Sequence, residues 1–217
     1  MMSKFSWEDF NRMPLIGIMR NFPEDKIEGT LEAFYKAGLT TIELTMNSPN
    51  AGTLIEDMAG KWGDKLNIGA GTVCNLDDLE LALAAGSQFI VTPVINEEVI
   101  RRCVSKEIPI FPGAYTPSEI YKAWSLGASM VKVFPASKLG PGYIKEVLQP
   151  LNKLKLVATG GVSPDNFLEF FTAGVKGVGM GGNLFPKLLV ENEEWNQLFD
   201  FFAGIVNKYN EHMRAQK

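Results

Sequence analysis

Two kinds of residue are scarce in this 217-residue chain, cysteine and histidine: it has two cysteines, Cys74 and Cys103, and one histidine, His212. One possible cysteine pair does not make a disulfide framework, and the reading is two reduced thiols. A lone histidine and no CxxC spacing leave a metal site without a ligand set, so no bound metal is expected, with His212 a solvated residue of the last helix. No apolar run approaches the roughly 18 residues of a membrane span, and the start, MMSKFSWEDF, has no apolar segment of signal type. A cytoplasmic protein follows by elimination. Excess charge is missing too: 21 basic against 25 acidic residues give a net charge of -4, and the basic ones are scattered. Nucleic acid, which selects a basic stripe, is not an expected partner. G-x-G-x-x-G after the first strand-like run is absent, which removes support for a dinucleotide cofactor.

What is present is a repeat of organisation. The chain is 46% hydrophobic, enough for a substantial core in one domain, 1–217. Short apolar runs begin near Leu15, Thr40, Leu66, Gln88, Ile108, Met130, Leu154 and Lys176, at intervals of 25, 26, 22, 20, 22, 24 and 22 residues. Each interval holds a five-residue strand, a helix of roughly ten to fourteen residues and two short loops. Glycines at 38, 86, 127 and 174 mark helix ends, and Ser48-Pro49, Thr116-Pro117 and Ser163-Pro164 read as N-cap followed by proline at the first helical position. Thr116 with Glu119 has the spacing of a capping box, and Asn75 ahead of Asp77 and Asp78 is another N-cap. Ile27, Leu31 and Phe34, then Val99 and Cys103, then Ile120 and Trp124, form buried helical stripes. Eight such units predict the α/β class and a closed (β/α)₈ TIM barrel, with an open doubly wound sheet as the alternative. The stretch Ser6 to Arg12 caps one end as an N-terminal helix, and Glu193 to Met213 supplies the eighth outer helix.

A barrel of this kind does its chemistry at the C-terminal ends of its strands. Few ionisable residues fall there, and Arg20, Glu43 and Lys132 stand out. Lys132, in Met130-Val131-Lys132-Val133-Phe134-Pro135, points either into water or into the barrel mouth. In the mouth, desolvation lowers an amine's pKa and frees it to attack a carbonyl. Glu43, in an equally apolar strand, needs a partner or a raised pKa; it either pairs with Arg20 or Lys132, or shuttles protons. Lys155 and Lys176 fall at the opposite, N-terminal ends of their strands. Gly160-Gly161 after the seventh run and Gly179, Gly181 and Gly182 after the eighth are tight turns or a phosphate cradle, and their joint placement favours phosphate.

Nine segments in order, PLIGIMR (14–20), TIELTMNSP (41–49), IGAGTV (68–73), FIVTP (89–93), FPGAYTPSE (111–119), VKVFPAS (131–137), GPGYIKEV (140–147), ATGGVSPDN (158–166) and VGMGG (178–182), resemble one family. It is that of the 2-keto-3-deoxy-6-phosphogluconate aldolases, with 6-phosphogalactonate and 4-hydroxy-2-oxoglutarate relatives. The resemblance implies a metal-independent class I lyase on a (β/α)₈ barrel, usually a homotrimer, needing no cofactor. It implies Lys132 as the Schiff-base lysine, Glu43 as general acid/base, Thr72 on the pyruvate carboxylate, Pro93 lining the pocket and Phe134 beside the imine. It also implies Thr159 at the substrate, and Gly160, Gly161, Gly181 and Gly182, with Asn183, at the phosphate. Asn47 stands where gluconate-type enzymes commonly carry a carboxylate-binding arginine, and Arg20 matches an arginine of other branches. Asn47-Ser48-Pro49 and ASKLGPGYIK (136–145) look galactonate-like, whereas Thr159 looks gluconate-like and Asn183 replaces a frequent serine.

The leading expectation is cleavage of 2-keto-3-deoxy-6-phosphogluconate to pyruvate and D-glyceraldehyde 3-phosphate. The galactonate epimer, or dual specificity with 4-hydroxy-2-oxoglutarate, is the alternative. A phosphosugar epimerase or isomerase, or a noncatalytic phosphosugar-binding protein, is more remote.

Overall fold

The computed structural model describes residues 4–216. Nine strands form one all-parallel sheet: β1 (Leu15–Met19), β2 (Thr41–Thr45), β3 (Asn67–Gly71), β4 (Phe89–Val91), β5 (Ile110–Phe111), β6 (Gly113–Ala114), β7 (Val131–Val133), β8 (Leu156–Thr159) and β9 (Gly177–Met180). Their spatial order is β5-β4-β3-β2-β1-β9-β8-β7-β6. The two ends of that list are consecutive in the chain, separated only by Pro112. Proline has no N–H to give to a ladder, so the stretch 110–114 splits: β5 pairs with β4 and β6 with β7. The Pro112 carbonyl still accepts from the Lys132 amide at 2.9 Å. The sheet thereby closes into a barrel of eight staves, and the doubly wound alternative falls away. Strand starts lie within two residues of those expected.

Among the described residues ten α-helices accompany the strands: α1 (Trp7–Arg12), α2 (Ile27–Lys36), α3 (Ala51–Trp62), α4 (Leu76–Ala84), α5 (Glu97–Ser105), α6 (Pro117–Ser125), α7 (Ala136–Leu148), α8 (Phe167–Ala173), α9 (Lys187–Glu191) and α10 (Trp195–Ala215). The caps of α1, α4 and α6 are those the side chains dictate. Ser6 accepts from the Asp9 amide, Asn75 from the Asp78 amide, and Thr116 with Glu119 forms the full capping box. Gly38, Gly86, Gly127 and Gly174 all take positive φ at helix ends, where a Cβ would be strained.

Two expected starts are displaced. Helix α3 begins after Asn50, and Ser48 instead turns its hydroxyl to the Asn21 amide at 2.9 Å and to Thr45 Oγ1 at 3.0 Å. Ser48 therefore ties the loop after β2 to the loop after β1 rather than capping. Helix α8 begins after Asn166; Ser163-Pro164 forms a turn in which the Ser163 carbonyl accepts from the Asn166 and Phe167 amides. His212 is half-buried in α10, with Nε2 3.4 Å from Thr172 Oγ1.

Alternation along each strand separates two cores. Outward residues such as Ile42, Ile68, Ile90 and Val131 pack on helix residues including Leu31, Phe34, Ile55 and Ile100, with Trp124 against the same core. Inward residues Ile16, Phe89, Val91, Phe111, Met130 and Val157 pack on Phe5 and Phe10. The Phe10 ring lies 6.0 Å from that of Phe111, and Phe5 5.3 Å from Phe89. Helix α1 thus plugs the N-terminal end of the barrel with aromatic side chains, and the opposite mouth is left for ligands. Cys74 is exposed and Cys103 buried, both free. No described helix is long and apolar enough to cross a membrane.

Candidate active site

Above the aromatic plug the barrel interior changes character. The inward line of the sixth stave runs Met130, Lys132, Phe134, and that of β2 runs Thr41, Glu43, Thr45. Facing positions on β3, β6 and β9 are Gly71, Gly113 and Gly179, which hold no side chain against the centre. The vacated space is specific: a Cβ on Gly71 would lie 2.4 Å from Glu43 Oε1, and one on Gly179 2.6 Å from Thr159 Oγ1. Glycine here is required by the close approach of neighbouring polar groups rather than by backbone angle.

Glu43 and Lys132 share this layer, 2% and 5% exposed. Among the described residues no ion pair joins Glu43 to Lys132 or Arg20, so the ion-pair expectation for Glu43 gives way to its other branch, a raised pKa. Burial pushes the Glu43 carboxyl up to about 7, against the pull of the Lys132 and Arg20 charges. Burial likewise lowers the Lys132 amine, while Glu43 draws it up and Arg20 pushes it down. The Lys132 ammonium sits 4.9 Å from the centroid of the Phe134 ring. Glu43 Oε2 has no hydrogen-bond partner. Burial thus pulls both groups toward their neutral forms, the carboxyl upward and the amine downward.

They form the floor of a pocket of about 560 Å³ whose walls include Arg20, Phe134, Thr159, Gly160, Gly161, Gly181, Gly182 and Asn183. Ten of the thirteen residues expected from sequence are therefore gathered in one cavity. Gly160 and Gly161 take φ of +92° and +73°. A Cβ on Gly161 would meet Ser137 Oγ at 2.2 Å, which fixes this turn against the start of α7. Asn183 Nδ2 donates to the Val162 carbonyl at 3.3 Å, so its side chain staples the two glycine turns together.

Three expected residues lie elsewhere. Thr72 follows Gly71 and holds φ at +58°, a strained position for a β-branched residue, yet it does not line the pocket. Pro93 borders a neighbouring cavity of about 630 Å³ that shares Phe134 as a wall. Asn47 is exposed beyond β2. Sequence reasoning missed Phe22, Phe185, Lys187 and Glu191, which also line the pocket. The signal for the last two was a lysine and a glutamate four residues apart directly after the glycine turn.

A closed parallel barrel with an unpaired lysine amine and a carboxyl buried at its catalytic mouth is the architecture of a class I aldehyde-lyase, in which a lysine imine activates carbon–carbon cleavage. Among the described residues no three His, Cys, Asp or Glu side chains gather as a metal site. Residues 8–201 match the family described as KDPG and KHG aldolase, and the chain belongs to that family. It is 37% identical over 175 residues to the 2-dehydro-3-deoxy-6-phosphogalactonate aldolase of Escherichia coli (strain K12), covering 80% of this chain and 85% of that one. It is 32% identical over 204 residues to the 2-dehydro-3-deoxy-phosphogluconate aldolase of Pseudomonas aeruginosa, covering 93% and 90%. A solved structure described as native KDPGal superposes with a TM-score of 0.86 at 32% identity, covering 98% of this chain and all of that one.

Proposed function

We propose that the protein cleaves 2-keto-3-deoxy-6-phosphogalactonate to pyruvate and D-glyceraldehyde 3-phosphate through an imine on Lys132. The observation that carries the reaction is the pair of buried, unpaired groups Lys132 and Glu43 on the floor of one pocket. The choice of epimer rests on the higher identity to the galactonate enzyme, the likeness to the KDPGal structure and the Asn47-Ser48-Pro49 segment. It displaces the gluconate epimer, which led from sequence; that epimer and 4-hydroxy-2-oxoglutarate become side substrates.

Burial keeps a fraction of the Lys132 amine neutral, and the neutral amine attacks the C2 ketone. Loss of water gives an iminium ion, the electron sink for breaking C3–C4. Glu43, directly or through water, takes the C4 hydroxyl proton as that bond breaks, and D-glyceraldehyde 3-phosphate leaves. The remaining enamine is protonated at C3, and water releases pyruvate. A carboxyl with a pKa of about 7 serves both as acid and as base across these steps. Arg20 and Thr159 orient the substrate's polar groups, with Phe134 against the imine. The turns at Gly160-Gly161 and Gly181-Gly182-Asn183 present backbone amides to the phosphate. The family resemblance puts Thr72 on the pyruvate carboxylate and Pro93 on the pocket wall, although both lie outside the main cavity. A homotrimer acting in the cytoplasm completes the proposal, with mass in solution as the check on assembly.

Borohydride reduction with pyruvate, followed by peptide mass analysis, is expected to place the adduct on Lys132. Folded protein that gives no adduct there overturns the mechanism. Cleavage assays on both C4 epimers are expected to give a higher kcat/KM for the galactonate; a preference for the gluconate restores the other reading.

A further inference from the structure

The pocket carries one charged pair that the reaction does not use. Lys187 and Glu191 lie one turn apart on α9, Nζ to Oε1 at 3.5 Å, and both line the same cavity as Lys132 and the glycine turns. Helix α9 starts after Phe185 and Pro186, two residues beyond the turn Gly182–Leu184, so this pair stands beside the end of the pocket assigned to phosphate.

The other cationic side chains of the pocket are Arg20 and Lys132. Lys132 is consumed in the imine, which keeps a single positive charge. A phosphorylated sugar acid brings a carboxylate and a phosphate, together roughly three negative charges at neutral pH. Glycine turns bind phosphate through amide dipoles and carry no formal charge. A carboxylate at Glu191 is unfavourable beside a phosphate unless a cation offsets it, and the cation already paired with it is Lys187. Both side chains are largely exposed, at 81% and 49%, so Lys187 is free to exchange Glu191 for a ligand without a large desolvation cost.

We propose that Lys187 and Glu191 form a charge filter at the pocket rim that selects substrates by the charge of the tail remote from C2. When a phosphorylated tail enters, Lys187 swings from Glu191 to the phosphate. When an uncharged tail enters, Lys187 stays on Glu191 and contributes nothing. This inference rests on the reaction and phosphate position proposed above, but it concerns which tails are accepted rather than how the bond is cut.

The test compares wild type with Lys187→Met, Lys187→Arg, Glu191→Gln and the double variant Lys187→Met/Glu191→Gln. The substrates are 2-keto-3-deoxy-6-phosphogalactonate and the same sugar acid without its phosphate. Lys187→Met is expected to raise KM for the phosphorylated substrate by about fivefold to tenfold, the scale of one partly screened charge contact, with kcat little changed. KM for the unphosphorylated acid stays within about twofold, Lys187→Arg restores the phosphorylated KM, and Glu191→Gln lowers it. The double variant falls between the two single ones.

Binding of glycerol 3-phosphate, followed by calorimetry on the same variants, reads the filter without turnover. A protein that binds glycerol 3-phosphate with this pattern but cleaves neither substrate loses the proposed reaction and keeps the filter. Lys187→Met with unchanged KM and unchanged glycerol 3-phosphate affinity overturns the filter, as does an equal rise in KM for both substrates. Pyruvate trapping on Lys132 in every variant confirms that the floor of the site is intact.

Discussion

Replacing Gly71 by alanine displaces the Glu43 carboxyl while leaving every reacting group in the chain. The backbone at Gly71 is not in the left-handed region, so alanine is conformationally acceptable there. The added Cβ would lie 2.4 Å from Glu43 Oε1, 2.7 Å from its carboxyl carbon and 3.3 Å from Cγ. Contact distances of about 3.4 Å require the carboxyl group to retreat by about 1 Å. A shift of that size in a catalytic group costs on the order of 10²-fold in rate. Gly71→Ala is therefore expected to lower kcat for carbon–carbon cleavage about a hundredfold while pyruvate is still trapped on Lys132 by borohydride. Gly60→Ala is the matched control: nothing lies within 4 Å of its Cβ, on an exposed turn of α3. It is expected to leave kcat unchanged and to stabilise the fold by roughly 0.5–1 kcal/mol. Steady-state kinetics, the trapping assay and a crystal structure of the variant decide the matter. A Gly71→Ala enzyme with wild-type kcat and Glu43 in its original place would refute the assignment of the proton shuttle to that carboxyl position.

Glu43→Gln is expected to cut kcat by about 10²–10⁴-fold. Its effect on stability has a definite sign: the folded pKa, about 7, is above the ordinary value of 4.5, so the unfolded chain loses its proton first. Stability of the wild type is thus eroded as pH rises from 4.5 to 7, by about 3 kcal/mol in total. Denaturant titrations should find the glutamine variant gaining on wild type across that window and no further above it; a gap that is flat with pH contradicts the buried, unpaired carboxyl. Lys132→Met should give no pyruvate adduct and a more stable fold, since burial opposes the ammonium; loss of stability in urea counts against that. Phe10→Ala, which empties the plug at the N-terminal mouth, should cost about 3–5 kcal/mol with little change in KM, and a loss under 1 kcal/mol in thermal melts means the plug collapses to fill the space.

Much of the pocket floor was legible in advance because it breaks a strong rule. Charged residues inside apolar strand runs are costly, so Lys132 and Glu43 announced themselves before any geometry was known. Local caps were equally readable where the side chain and the amide it caps lie within three residues, as at Asn75 and Thr116. The same reasoning failed at Ser48, whose hydroxyl is taken by Asn21, 27 residues earlier in the chain. Lys187 and Glu191 were passed over because an i,i+4 lysine and glutamate are ordinary on any exposed helix. Nothing local distinguishes a pair that faces a pocket.

The sequence by itself determined the eight strand–helix units, their helix ends at positive-φ glycines and the three ionisable residues worth suspecting, since each depends on neighbours a few positions away. Tertiary structure alone decided closure at Pro112, where one proline divides a stave between two neighbouring strands. It also decided that Gly71 makes room for the Glu43 carboxyl, and that Thr72, Pro93 and Asn47 stand apart from the main cavity. The scarcity of histidine and cysteine made a lysine in an apolar strand the residue to suspect. The barrel supplied what no local pattern holds, a shared, nearly dry floor on which an amine and a carboxyl from distant strands shift each other's protonation.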